Sequence, residues 1–295
     1  MSMRIVVIGN YQSTNIGDDM YVEILSRQYP DHQIIPQHRL REDTRPNFLI
    51  YGGGGVLREA EGRRDLLHAW RKKYDCPYCV LSVGSSVGGA LVFDENPFPD
   101  AEFITVRDEV SLKALPGSIL VPDLAWTFKP PEKKSEIINH GTGIMLRHSN
   151  RFNSFHLVER VREELATLDD HYLFFSTYGQ RLGDRTLSHT TRAGFPSTFD
   201  LYNGSNPAEY LEHYRSCRRV LVMPLHGIIF AAIYGVPWAA WSYSPKVDWL
   251  IQDLNAIVPA SLKDNLTWNE TPRELVTAFH EEAQRHFSLL DPYLK

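Results

Sequence analysis

The chain reads as an α/β protein built from two doubly wound halves that face a cleft. Three observations predict this. Short apolar runs alternate with helical patterns from end to end, the runs are apolar almost without interruption, and one Pro- and charge-rich segment divides them. Continuously apolar strands belong to parallel sheets covered by helices on both faces. The first half opens with the strand RIVVIG and the helix DDMYVEILSRQY, with Asp18 or Asp19 near its N-cap. QIIPQH is a weaker strand and NFLIYGGGG a stronger one, followed by a helix over VLREAEGRRDLLHAWRKKY. YCVLSVGSS is the next strand, then AEFITVRD with its helix EVSLKAL, and SILVPD closes the half. The segment KPPEKKSEIINHG has no periodicity and reads as the linker.

The pattern then restarts with the strand GIMLRHS, the helix SFHLVERVREELATL, the strand HYLFFSTY and the helix NPAEYLEHYRSC. The strand RRVLVMP, the helix HGIIFAAIYG, the strand PWAAWSY and the helix PKVDWLIQDL follow. A Thr-Pro start signal opens the amphipathic TPRELVTAFHEEAQRHF. The expected organisation is a first domain over 1–130, a second over 137–270, and a C-terminal helix within 271–295. The charges of that helix are mixed, so packing back across the domains is favoured over docking at a membrane.

Composition narrows the functional classes. A net charge of -5 over 295 residues gives no basic field, so nucleic acid is not an expected partner. The N-terminus enters a strand almost at once, and no apolar run approaches the length of a membrane span. The expectation is a cytoplasmic protein, with contact at the inner face of the membrane as the one peripheral option. Three cysteines make no disulfide framework. Cys76 and Cys79 have redox-motif spacing, but a helix precedes them and a strand follows, the reverse of the order that activates such a thiol.

In doubly wound sheets, ligands bind beyond the carboxyl ends of the strands, so the residues following each strand are the candidates. After the first strand, GNYQSTNIGDDM sets Gly9 and Gly17 around a polar loop feeding a helix N-terminus. This suits an anion site and a capped turn equally, and the spacing is not a dinucleotide fingerprint. After NFLIY, four glycines, Gly52–Gly55, permit φ > 0 and close approach; packing explains one or two, and four point to a ligand. GSSVGG adds hydroxyls and amides, Ser85 among them. Arg107 follows AEFITV, and Arg147 follows GIML at the corresponding place in the second half. Two such guanidinium groups could clamp a doubly anionic ligand, although a lone Arg is more often a surface charge or an ion pair. His226 stands between the strand RRVLVM and the helix GIIFAAIYG, where the helix dipole and a nearby anion act on its pKa in opposite directions. Lys246, in the first turn behind Pro245, opposes the helix dipole and so suggests an anionic partner.

Together these loops resemble the polysaccharide pyruvyl transferase family. The resemblance is carried by GNYQSTNIGDDM, YGGGGVLRE, GSSVGG, ITVRDEVSLKAL, VPDLAWTF, IMLRHSN and LHGIIFAAIYGVPWAAWSYSPKV, in the family's order from about Gly9 to Val247. The last block and TVRDEVSL are the most specific. The resemblance implies two Rossmann-like domains in a GT-B-like arrangement. It also implies transfer of the enolpyruvyl group of phosphoenolpyruvate onto two hydroxyls of a sugar, in a bacterial cell-surface polysaccharide or its precursor. The products are a cyclic pyruvate ketal and phosphate. No metal or redox cofactor is implied; phosphoenolpyruvate is the donor substrate, and the acceptor is a sugar, free or lipid-carried.

Residue by residue, the resemblance makes Arg107, Arg147 and Lys246 anion ligands, and His226 a donor ligand or proton-transfer group. Asn15, Asp18, Gly53, Gly54 and Ser85 become substrate-binding positions, with Asp18 either the base on the acceptor hydroxyl or a helix cap. Asp123 matches an acidic position of the family and reads as structural. The family commonly carries arginine where this chain has Pro224, so one clamp is missing. Arg218 or Arg219 would then have to replace it, or Arg147 suffice. PLH before AA-x-x-GVP also resembles bacterial heptosyltransferases. The alternatives are therefore a GT-B-type glycosyltransferase using a nucleotide-sugar, and a non-catalytic glycan-binding relative.

Overall fold

The computed structural model describes residues 2–11, 14–37, 44–55, 57, 67–69, 71–85, 93, 96–132, 141–168, 171–176, 182–259 and 261–295. Most of the helix expected at 56–74 and of the linker lies outside these residues. The chain divides into two compact units, one of residues 1–13, 17–128 and 277–295, the other of 14–16 and 129–276.

In the first unit the order is β1 (Arg4–Ile8), α1 (Ile16–Gln28), β2 (Gln33–Gln37), β3 (Phe48–Gly54), β4 (Tyr78–Val83), β5 (Ile104–Val106), α2 (Glu109–Ala114) and β6 (Ile119–Leu120). These strands form one parallel sheet in the order β2-β1-β3-β4-β5-β6. Every residue of β3 and β4 is buried, as expected of central strands covered on both faces. Val6, Leu49, Val80, Ile104 and Val106 share one core cluster. Asp108 caps α2 by accepting a hydrogen bond from Ser111 N at 2.7 Å.

In the second unit the order is β7 (Thr142–Met145), α3 (Ser154–Ala166), β8 (Tyr172–Ser176), α4 (Leu182–Arg192), β9 (Ser197–Leu201), α5 (Pro207–Tyr210), β10 (Arg219–Val222), α6 (Leu225–Tyr234), β11 (Trp238–Ala239) and α7 (Pro245–Asp253). A 3-10 turn over Leu211–Ser216 continues α5. The sheet is parallel, in the order β11-β10-β7-β8-β9. Ile144, Leu146, Phe174, Leu221, Met223 and Trp241 lie in its core.

Neither α4 nor β9 is predicted by the sequence pattern. The helix reads LGDRTLSHTTR, only two of whose residues are large and apolar, and β9 is an edge strand with no fully buried residue. Ser- and Thr-rich stretches of this kind carry a weak helical signal, and only packing settles them.

The C-terminal segment forms α8 (Arg273–Ala283) and α9 (Arg285–Leu294), where the sequence predicts one helix. From residue 277 onward it belongs to the first unit. Phe279 stacks on Trp126 at 4.8 Å between ring centroids, and Tyr293 meets Phe48 at 5.5 Å. Phe287, Leu290 and Leu294 are buried. His286 is buried too, with Nδ1 3.2 Å from the Thr105 hydroxyl and Nε2 2.9 Å from the Pro122 carbonyl. No described helix is long and apolar enough to cross a membrane.

Candidate active site

In the second sheet, β7 and β10 are neighbours, while the chain continues from β7 outward to β8 and from β10 outward to β11. Connections leaving in opposite directions open a crevice at the carboxyl ends of such strands. Three neighbouring strands deliver candidate residues there: Arg147 after β7, His226 after β10, and Lys246 after β11. Pairing runs past the strand ends, because Met223 N donates to Met145 O at 3.0 Å. A Cβ on Gly227 would lie 3.0 Å from the Met145 sulfur, so glycine there lets the first turn of α6 sit close over β7. His226 is half-buried, with its ring stacked 6.3 Å from that of Phe230 one turn on. Pro224 occupies the N-cap position of α6 and brings no side-chain cap.

Arg147 is aimed by a carboxylate from α4. Asp184, buried in the first turn of that helix, accepts from Arg147 Nη1 at 2.9 Å and from His148 N at 2.6 Å. One carboxylate therefore holds both the guanidinium and the backbone that carries it. Arg147 and Lys246 converge on the ring of Tyr243, at 5.9 and 6.0 Å from its centroid. Burial works to raise the Tyr243 pKa, yet the charges of Lys246 and Arg147, with hydrogen bonds from Lys246 and Ser244, hold the phenol below its ordinary value. The rim carries a further cation. Arg151 pairs with Asp248 at 3.0 Å and reaches the Ser242 hydroxyl at 3.4 Å, and Ser149 Oγ donates to Tyr243 O at 3.2 Å. Sequence reasoning misses Tyr243 and Asp184. The signal for Tyr243 was its place between a strand and Lys246; Asp184 had none, since its helix was not predicted.

In the first unit the switch point lies between β1 and β3, and the loops after both strands meet there. Asn15, which the division into units assigns to the second, is half-buried and precedes α1, so Asp18 stands inside the first turn rather than at the cap. Asp18 is buried, and Asn10 Nδ2 donates to it at 3.1 Å. The glycines have internal reasons. A Cβ on Gly52 would fall 2.1 Å from Leu81 O; Gly53 and Gly54 have φ of +78° and +79°. A Cβ on Gly53 would lie 2.7 Å from the Tyr11 hydroxyl, and one on Gly54 2.7 Å from Asp18 Oδ1. Close packing and left-handed backbone thus account for three of the four glycines without a ligand. Ser85 is buried and its N–H donates to Ser111 Oγ at 2.7 Å; the rest of that loop, 86–89, lies outside the described residues.

Arg107 lies within the first unit, where its side chain is 4% exposed and donates to Asp123 Oδ2 at 2.7 Å. Burial disfavours its charge, but Asp123, with Tyr21 and Asp108, more than reverses this and holds its pKa above the ordinary value. Asp123 also accepts from the Tyr21 hydroxyl at 2.7 Å and from Ala125 N at 2.9 Å. A buried carboxylate and guanidinium must be paired, and this pair sits within a network that satisfies both.

Arg219 does not stand in for the missing arginine. It begins β10, donates to Thr142 Oγ1 at 3.1 Å and lies 4.9 Å over the Trp268 ring, at the amino edge of the sheet. Arg218 precedes it, with its N–H on Gly141 O at 2.8 Å, at that same edge. Cys76 and Cys79 are buried, and burial pushes the Cys76 thiol up to about 12, which suits packing rather than redox chemistry.

A family model described as polysaccharide pyruvyl transferase matches residues 15–245. No curated protein matches the chain by sequence. Among solved structures, the UDP-GlcNAc 2-epimerase of Methanocaldococcus jannaschii in complex with UDP-GlcNAc and UDP aligns with a TM-score of 0.57 at 12% identity, over 99% of this chain and 100% of that one. MnaA of S. aureus with UDP gives a TM-score of 0.52 at 10% identity, over 98% and 90%. The glycotransferase of kitacinnamycin gives 0.51 at 11%, over 99% and 97%. These likenesses establish the fold, two Rossmann-like α/β sheets of the GT-B-like class.

Proposed function

The chain belongs to the polysaccharide pyruvyl transferase family, and from that premise we propose that it transfers the pyruvyl group of phosphoenolpyruvate onto a sugar of a bacterial cell-surface polysaccharide or its precursor. One observation carries this reading: three neighbouring strands of the second sheet bring Arg147, His226 and Lys246 to one edge, with both cations turned onto Tyr243. A donor bearing a carboxylate and a phosphate needs such a cluster of cations. In the proposed reaction a sugar hydroxyl oxygen adds to C2 of the donor while the C3 methylene takes up a proton. A second hydroxyl oxygen of the sugar then replaces the phosphate at C2 to close the ketal, and each hydroxyl gives up its proton. Arg147 and Lys246 hold the anionic groups, and His226 carries protons to and from the reacting atoms. Asp18 is the candidate base on the acceptor hydroxyl. No metal or redox cofactor enters these steps.

Thermal stabilisation tests the donor. At a concentration of about 100 times its Kd, a bound ligand adds about 2.7 kcal/mol. Phosphoenolpyruvate is expected to give such a shift, and UDP- and GDP-sugars are not. The opposite pattern would instead establish a nucleotide-sugar transferase. His226→Ala is expected to abolish ketal formation while leaving the melting temperature nearly unchanged.

A further inference from the structure

Tyr243 is used by none of the steps above, yet it lies where the two cations of the candidate donor site meet. We infer that Tyr243 is a positioning residue of this anion site: its ring holds the charged heads of Arg147 and Lys246 on a common anion, and loss of its hydroxyl proton turns the site against that anion. This rests on the proposed donor site. Its substance is that the site accepts a phosphate-bearing anion only while Tyr243 is protonated.

The geometry carries the inference. The two cations come from different strand ends and approach one ring, at 5.9 and 6.0 Å from its centroid. A neutral ring attracts cations through its face and leaves their charge available to a ligand. A phenolate at the same place would instead neutralise part of that charge. The groups around Tyr243 can be named element by element. From the loop after β7 come Arg147, backed by Asp184 of α4, and the Ser149 hydroxyl on the Tyr243 carbonyl. From α7 comes Lys246, with Asp248 engaged by Arg151 rather than by Lys246, and from its N-cap the Ser244 hydroxyl, which hydrogen-bonds the phenol. Lys246 also hydrogen-bonds the Tyr243 hydroxyl, so a ligand anion and the Tyr243 oxygen compete for it. The two cations and these hydrogen bonds bring the Tyr243 phenol below its ordinary value against the effect of burial. Tyr11, Tyr21, Tyr29, Tyr78, Tyr214, Tyr234 and Tyr293 are all shifted the other way.

That contrast supplies the test, an ultraviolet titration of phenolate in the full chain. One tyrosine is expected to ionise below about pH 10, and this step is expected to vanish in Tyr243→Phe. By reciprocal linkage, inorganic phosphate must move the step to higher pH, and phosphate affinity must fall as pH rises through it. A shift of one unit corresponds to about a tenfold loss of affinity. Lys246→Ala is expected to move the step upward as well, and Tyr243→Phe to bind phosphate with no loss across the same pH range. The inference is overturned if phosphate leaves the step in place, or if Tyr243→Phe weakens binding equally at every pH, which a merely structural ring would do. The donor reading is tested separately. A phosphate-linked Tyr243 step without ketal formation from phosphoenolpyruvate would refute the donor and keep the switch. Ketal formation whose pH profile is unmoved in Tyr243→Phe would keep the donor and refute the switch.

Discussion

Arg107 and Arg147 each follow a strand, and each is held by a buried aspartate, with opposite consequences. Arg107 is enclosed with Asp123, and its side chain is only 4% exposed. Arg147 keeps 18% of its side chain exposed, and Asp184 fixes one end of it while the guanidinium also faces Tyr243. Removing one partner of a buried pair strands the other, at a cost of about 3–5 kcal/mol. Asp123→Ala is therefore expected to lose stability on that scale in urea unfolding, while the fraction that remains folded keeps its donor affinity. Asp184→Asn should act on binding. It weakens the hold on Arg147 and is expected to raise the KM for the donor about tenfold, or about 1.4 kcal/mol, with kcat changed far less. An equal fall in kcat and in kcat/KM, with KM unchanged, would instead place Arg147 in the transition state alone.

At the scale of elements, the C-terminal helices show how a buried histidine ties a segment down. His286 of α9 is enclosed between Thr105 and the Pro122 carbonyl, and burial lowers its pKa to about 4. The unfolded chain binds this proton near pH 6.5. The neutral ring therefore stabilises the fold fully above that pH, and the contribution is lost as pH falls from about 6.5 toward 4, to a total of about 3 kcal/mol. Melting temperature followed over this range is expected to fall in the wild type and to fall less steeply in His286→Gln, which cannot take up the proton. Other elements were less legible. The amphipathic pattern marks the C-terminal segment as helical, but its division into α8 and α9 depends on packing against Trp126, Phe48 and Thr105. The short α4 is the sharper case. Its Ser and Thr residues are weak helix formers, and its place is fixed by Asp184, whose partners lie 36 and 37 residues away.

At the scale of the whole molecule, the expectation is that anion binding belongs to the second unit. Hydrogen exchange with and without phosphoenolpyruvate should show protection over residues 146–151 and 242–248. Protection centred on residues 9–19 and 52–54 would move the anion to the first unit. The alternation of strands and helices, the parallel sheets, and the placing of Arg147, His226 and Lys246 after their strands were all readable from the amino acids. Those features depend on local periodicity and on the rule that ligands gather at carboxyl ends of strands. Tertiary structure decided which partner each charge meets. A sequence can put Arg107 and Arg147 in equivalent places, but only the fold brings Asp123 against one and Asp184 against the other. It also sets the glycines of β3 close against Leu81, Tyr11 and Asp18, and brings two cations onto the ring of Tyr243. The physical reason is the same throughout: the pKa, reach and availability of a side chain are set by neighbours distant in sequence, which periodicity does not encode.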